Sequence, residues 1–205
     1  ALEIAVKASV VNMRGFGMDT KVVIACDVSG SMQKSISPKS KILNYDIGLM
    51  LGMLLQSKCR NVQAGMFGDT WKIVSMPTQN ILSNVQEFYR REGSVGYATN
   101  GHLVITDLYQ RCEVVDKVML FTDAQLWNTQ YDGHIAKEWT RYRKELAPEA
   151  KLYLFDLAGL GTTPIDFKQN EGVYLIAGWS DKIFDVLAAL DQGQQAVEVI
   201  NNIEL

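Results

Sequence analysis

Cysteine, histidine and proline are scarce in this chain: three, two and four of 205 residues. Cys26, Cys59 and Cys112 are odd in number and form no C-x-x-C, so no disulfide framework is expected and a reducing, cytoplasmic compartment is. His102 and His134 stand alone, which leaves no His/Cys cluster for zinc and no Ser/His/Asp triad. Positive charge is not in excess: 20 basic against 23 acidic residues give a net charge of -3. No global field then draws nucleic acid, DNA is not an expected partner, and any RNA contact needs a local patch. No apolar run approaches the roughly 20 residues that cross a bilayer, so no membrane is expected. The longest, Ile47 to Leu55, carries two glycines between Asp46 and Gln56 and reads as a buried helix. Residues 1–4 have neither a basic n-region nor an apolar h-region, so no signal peptide is expected. The first residue is Ala1 and not Met, and the expectation is a processed chain or part of a longer one.

What is present is ordinary for a globular protein: 47% hydrophobic and 21% charged residues, in a length that suits one sizeable domain. We read 1–205 as that domain, with 192–205 a tail whose structure the pattern leaves open. Strand patterns at 21–26, 62–67, 117–121, 151–155 and 173–176 alternate with helical patterns at 41–58, 80–92, 102–112, 134–146 and 180–191. On 41–58, Leu43, Ile47, Met50, Leu51, Leu54 and Leu55 form the expected inward stripe, and Gly48 and Gly52 share a face where another backbone could approach. Residues 71–76 read as an antiparallel neighbour across a Gly68-Asp69 turn, and Ile4 to Val11 as an added strand. Strands separated by helices pair in parallel through right-handed crossovers. The predicted fold class is therefore α/β: a doubly wound, mostly parallel sheet with one antiparallel edge strand and helices on both faces. Ligands of such sheets bind at the carboxyl ends of the strands, where Asp27 and Asp123 fall.

The first buried strand runs into Asp27-Val28-Ser29-Gly30-Ser31. One carboxylate and two hydroxyls are hard oxygen donors, suited to Mg²⁺, with Ca²⁺ or Mn²⁺ as alternatives. Gly30 is expected to let the backbone turn tightly. At average residue usage Asp-x-Ser-x-Ser arises by chance in roughly one chain of this length in twenty, so the pattern alone is weak. The bland reading is a serine-rich turn that caps a helix. Position decides between the two: buried strand, oxygen-rich loop, helix, hairpin, Thr99 in a glycine-containing loop, then Phe121-Thr122-Asp123 at another strand end.

That succession resembles the von Willebrand factor A family and its metal-ion-dependent adhesion site, over essentially the whole chain. Within it, Asp27-Val-Ser-Gly-Ser-Met32, Phe121-Thr-Asp123, the segment from Gly178 to Leu187 and the lead-in from Ala1 to Val28 look similar to the C-terminal domain of Ro ribonucleoprotein (TROVE) proteins. The helical-repeat ring that binds RNA in that family has no counterpart here. The resemblance implies that Ser29 and Ser31 bind the metal directly and that Thr99 does so in some states. It implies that Asp27 and Asp123 act through water or orient the hydroxyls. The family often has glycine before that threonine, where this chain has Ala98, with Gly96 two further back; Thr106 and Ser94 are weaker substitutes. Neutral hydroxyls leave a cation under-neutralised, so the implied function is a metal-dependent interaction module. It would offer an open position to a partner's acidic group, with no catalytic residues and with RNA bound through the missing ring.

The rival class is a hydrolase acting on phosphate esters. A haloacid-dehalogenase-type phosphatase needs a second Asp two residues after the first, and Ser29 stands there. Gly159-Leu160-Gly161 lacks a third glycine and is followed by Pro164, so it reads as a loop. Lys34, Lys39 and Lys41 directly follow the metal loop: a solvated loop on the bland reading, a patch for phosphate or an acidic partner on the sharp one. Lys58 and Arg60 should lie at the far end of the helix. Trp71, Trp127, Trp139 and Trp179 read as packing residues. Trp127 is the exception, four residues past Asp123, where the alternative to packing is base stacking or a partner contact.

Overall fold

A computed structural model of the chain describes residues 2–11, 13, 16–17, 19–125, 134–161, 164–166, 168–180 and 182–191. Trp127 and the tail 192–205 lie outside them. Six strands form one sheet: β1 (Lys21–Asp27), β2 (Asn61–Phe67), β3 (Trp71–Ile73), β4 (Lys117–Thr122), β5 (Lys151–Asp156) and β6 (Val173–Ala177). Their order is β3-β2-β1-β4-β5-β6, parallel throughout except for β2 with β3. The helices are α1 (Leu2–Val10), α2 (Asn44–Lys58), α3 (Ile81–Arg91), α4 (His102–Gln110), α5 (His134–Glu145) and α6 (Ile183–Asp191).

The near-continuous apolar strands are explained by burial on both faces. Val22, Ile24 and Cys26 of β1 point with Met119, Phe121, Tyr153 and Phe155 toward α1, α2, α3 and α6. Val23 and Ala25 point with Val118, Leu120, Leu152 and Leu154 toward α4 and α5. Each fully buried Leu, Phe or Met side chain contributes about 1.5–3 kcal/mol. Phe121 and Phe155 stack with ring centroids 4.3 Å apart. The chain winds outward from β1 in one direction and from β4 in the other, so the crevice between their carboxyl ends is the topological switch point.

Three expectations change. Residues 2–10 are a helix and not a strand, because Val6 and Val10, one helical turn apart, both reach the core. The Glu3 carboxylate accepts from the backbone of Ile81 (2.8 Å) and Leu82 (2.9 Å), satisfying the bare amides at the start of α3. On α2 the expected Leu51 and Leu55 are buried, but so are Leu49 and Met53, and Gly48 and Gly52 lie against the sheet, whereas Ile47, Met50 and Leu54 are only partly buried. The two glycines admit side chains, not a backbone: a Cβ on Gly52 would lie 3.1 Å from Cys26 Sγ and 3.2 Å from Ile24 Cγ2. Trp139 is buried and donates to Glu171 O at 3.1 Å, but Trp179 is 46% exposed, on an apolar groove with Ile47, Met50 and Phe184.

The tip of the β2–β3 hairpin presses on the loop before α4. Thr70 N donates to Val95 O (3.0 Å) and Asn100 N to Gly68 O (3.2 Å). A Cβ on Gly68 would lie 2.7 Å from the Gly96 carbonyl carbon and 2.9 Å from Val95 O, backbone atoms that have no rotamer to escape into. Gly68→Ala is therefore expected to cost about 1–3 kcal/mol by overpacking, read from the urea midpoint. An unchanged midpoint would contradict the contact.

Candidate metal site

The site starts from Asp27, the last residue of β1, which is 1% exposed. Both carboxylate oxygens are engaged. Oδ1 accepts from Ser29 N at 2.8 Å, which folds the chain back over the strand end. Oδ2 accepts from Thr122 Oγ1 at 2.6 Å, across to the end of β4. Ser29 and Thr122 are buried as well, and Thr122 Oγ1 in turn accepts from Ala124 N at 3.2 Å.

Ser29 leads into a 3-10 turn, Gly30–Gln33, which brings the Ser29 and Ser31 hydroxyl oxygens to 3.2 Å of each other. Gly30 does not have the role expected of it. Its φ is not in the left-handed region, and a Cβ there would meet nothing within 4 Å. The turn is made by Asp27 holding Ser29 N, and a Cβ at position 30 would meet open space.

Asp123 follows Thr122, is buried, and accepts from Gln125 N at 3.1 Å. Its charge is felt at Asp27. Burial, above all, pushes the Asp27 carboxyl from its ordinary 3.8 up to about 7; the Thr122 and Ser29 hydrogen bonds pull it down, and Asp123 adds repulsion.

Thr99 is buried in the loop before α4. That loop is fixed to the Ser29–Ser31 turn by Gly30 N donating to Tyr97 O at 3.3 Å. From the other side Asp69, at the hairpin tip, accepts from Ala98 N at 3.0 Å and takes up the space where a Cβ on Gly96 would sit. Gly96 has φ +75°, a conformation that suits glycine. The glycine that shapes this loop is thus Gly96, which accounts for Ala98 being tolerated before Thr99. Neither substitute for Thr99 is brought to the site by a hydrogen bond. Thr106 Oγ1 donates to His102 O inside α4, and Ser94 O accepts from Lys72 Nζ.

The structure therefore joins Asp27, Ser29 and Ser31 directly, brings Asp123 within electrostatic range, and holds the Thr99 loop against the turn. The sequence reading missed Thr122, Asp69 and Asp156. Thr122 lies one residue beyond the Cys26–Phe121 pair, opposite Asp27, a cross-strand register that spacing along the chain does not display. Asp156 ends β5 beside Thr122; its Oδ2 accepts from Gly161 N at 2.8 Å, and Oδ1 has no hydrogen-bond partner among the described residues.

A six-stranded doubly wound sheet with an oxygen-rich turn at its switch point defines a von Willebrand A-type domain. A family model for the Ro60 vWA domain matches residues 21–190, and the chain belongs to that family. The crystal structure of the Deinococcus radiodurans RO (RSR) protein is similar, with a TM-score of 0.73 and 18% identity over 95% of this chain, a likeness of fold. The chain spans 38% of the length of that structure. No curated protein matches the chain in sequence.

With its pKa raised by burial, Asp27 of the folded, metal-free protein is expected to hold, between about pH 4 and pH 7, a proton that the unfolded chain has lost. Stability is then expected to fall as pH rises through that window. Asp27→Asn carries no such proton, and its unfolding free energy should vary less over the same range. An identical pH dependence in the variant would remove Asp27 as the cause.

Proposed function

We propose that the chain is a metal-dependent interaction module, not an enzyme. Under this reading Mg²⁺, or else Ca²⁺ or Mn²⁺, is held by the Ser29 and Ser31 hydroxyls, with Thr99 as a third. Asp27 and Asp123 hold waters or orient the hydroxyls. The observation that carries the proposal is the 3.2 Å separation of the two serine oxygens. Two ligands at right angles on a cation stand about 2.9 Å apart at Mg²⁺ bond lengths and about 3.3–3.7 Å at Ca²⁺ bond lengths. The serine pair lies between these values, so the donor set fits without choosing the metal.

When bound, the cation supplies an electrophilic centre whose open position takes a carboxylate or another anion. The protein's own residues do the rest. Asp27 spends one oxygen on Ser29 N and the other on Thr122, so it fixes the turn rather than reaching outward. The turn is uncrowded at Gly30, where a Cβ would meet nothing within 4 Å. The same facts weigh against a haloacid-dehalogenase-type phosphatase, which would need Asp27 as a free nucleophile, whereas both of its oxygens are engaged. RNA binding is assigned, in this proposal, to the helical-repeat ring that the Ro resemblance implies outside residues 1–205. A reducing, cytoplasmic setting agrees with three free cysteines. Among the described residues no helix is long and apolar enough to cross a membrane.

The test is calorimetric titration with Mg²⁺ and Mn²⁺. Wild type is expected to take up one equivalent. Ser29→Ala, and Thr122→Val through loss of its hold on Asp27, should weaken uptake by about tenfold or more. Uptake unchanged in Ser29→Ala would sink the proposal.

A further inference from the structure

The residues after the Ser29–Ser31 turn do not enter helix α2 directly. They form a braced arm. Lys34 N donates to Ser31 O (3.3 Å), Asn44 N to Lys34 O (3.0 Å) and Ile36 N to Ile42 O (2.9 Å), and Ser35 bridges Leu43. At its tip Ser40 N bonds Ser37 O and Ser40 Oγ accepts from Ile42 N. Helix α2 begins only at Asn44, because Leu43 N is taken by the Asp46 carboxylate at 2.7 Å.

This arm carries Lys34, Lys39 and Lys41, all exposed, and none has an acidic partner among the described residues. Basic residues elsewhere are often paired, as in Arg91 with Glu87, Arg111 with Asp107 and Lys117 with Asp191. Three unneutralised lysines on one short arm are a local positive patch on a chain of net charge -3. Beside them Ile42 is 48% exposed. Tyr97, whose carbonyl accepts from Gly30 N, is 50% exposed.

We infer that the arm 34–43 is a docking surface for an acidic protein segment that also carries apolar side chains. Resting on the metal reading above, one carboxylate of the segment reaches the cation over Gly30. Its further acidic groups meet Lys34, Lys39 and Lys41, and its apolar side chains lie against Ile42 and Tyr97. Ile42, exposed among the lysines, is matched by an apolar side chain better than by a phosphate or a stacked base, and this favours a protein segment as the occupant. The backbone bracing matters energetically: an arm already ordered loses little entropy when a partner lands on it.

The experiment uses the whole chain and a fluorescein-labelled peptide of repeating Glu-Leu-Glu-Gly, followed by anisotropy in Mg²⁺. Its Gln counterpart and oligouridylate are the comparison probes. The arm variant carries Lys34→Gln, Lys39→Gln and Lys41→Gln. A variant with Lys7→Gln, Arg60→Gln and Lys144→Gln loses the same charge far from the site. The acidic peptide is expected to bind wild type and the remote variant alike, and the arm variant about tenfold more weakly. Circular dichroism checks that all three are folded; if the triple arm variant is not, the three single Lys→Gln variants replace it. Equal binding by the arm and wild-type proteins, equal binding of the Gln peptide, or lysine-dependent retention of oligouridylate in preference to the acidic peptide would each overturn the inference. So would no binding of the acidic peptide. Mg²⁺ uptake by the arm variant should match wild type. If wild type takes up no Mg²⁺, the metal reading fails separately, and the arm stands or falls on the lysine dependence of peptide binding.

Discussion

Asp27 is a carboxylate buried at the end of a central strand, and two hydrogen bonds make its burial tolerable. An isolated charge there would cost several kcal/mol. Its partners are set very differently along the chain. Ser29 is two residues away and Thr122 is 95 away. One bond shapes the serine turn and the other fastens β1 to β4 at the point where the winding reverses. Thr122 then holds Ala124 N, and Gly30 N holds the Tyr97 carbonyl, so the loop of Thr99 is carried into place by the same turn.

The hairpin tip completes the frame from outside. Asp69 grips Ala98 N while filling the space beside Gly96, and Gly68 meets the Gly96 backbone. Three loops from separate parts of the chain thus meet over the switch point, each fixed by backbone hydrogen bonds rather than by side-chain packing alone. Such a frame holds the two serine hydroxyls in a 3.2 Å hydrogen bond with each other. It leaves the Gly30 side open.

Much of this was legible in the residues. The doubly wound sheet, its antiparallel edge and the convergence of Asp27, Ser29 and Ser31 follow from apolar runs and their polar ends, which are local signals. The N-terminal helix was not legible as a helix: its Ile, Val and Ala content reads equally as strand, and the contacts that favour a helix, Val6 and Val10 in the core and Glu3 on α3, are made with residues far along the chain. The inward face of α2 was legible only in part: Leu51 and Leu55 are buried as their spacing implies, but the helix is buried on more than one side and the glycine face is the one against the sheet. Thr122 and Asp69 were missed because their roles depend on cross-strand register and loop docking, which spacing along the chain does not encode. Gly30 was given a conformational role because glycine in a turn usually has one; here the turn is closed by a carboxylate instead.

The central claim is that the paired hydroxyls of Ser29 and Ser31 hold a divalent cation. Anomalous diffraction from crystals grown with Mn²⁺ addresses it most directly. The account predicts one strong peak within about 2.6 Å of both serine oxygens, with no direct bond to the Asp27 carboxylate. A peak coordinated by Asp27 in place of the serines, or no peak at this turn at saturating Mn²⁺, would contradict it.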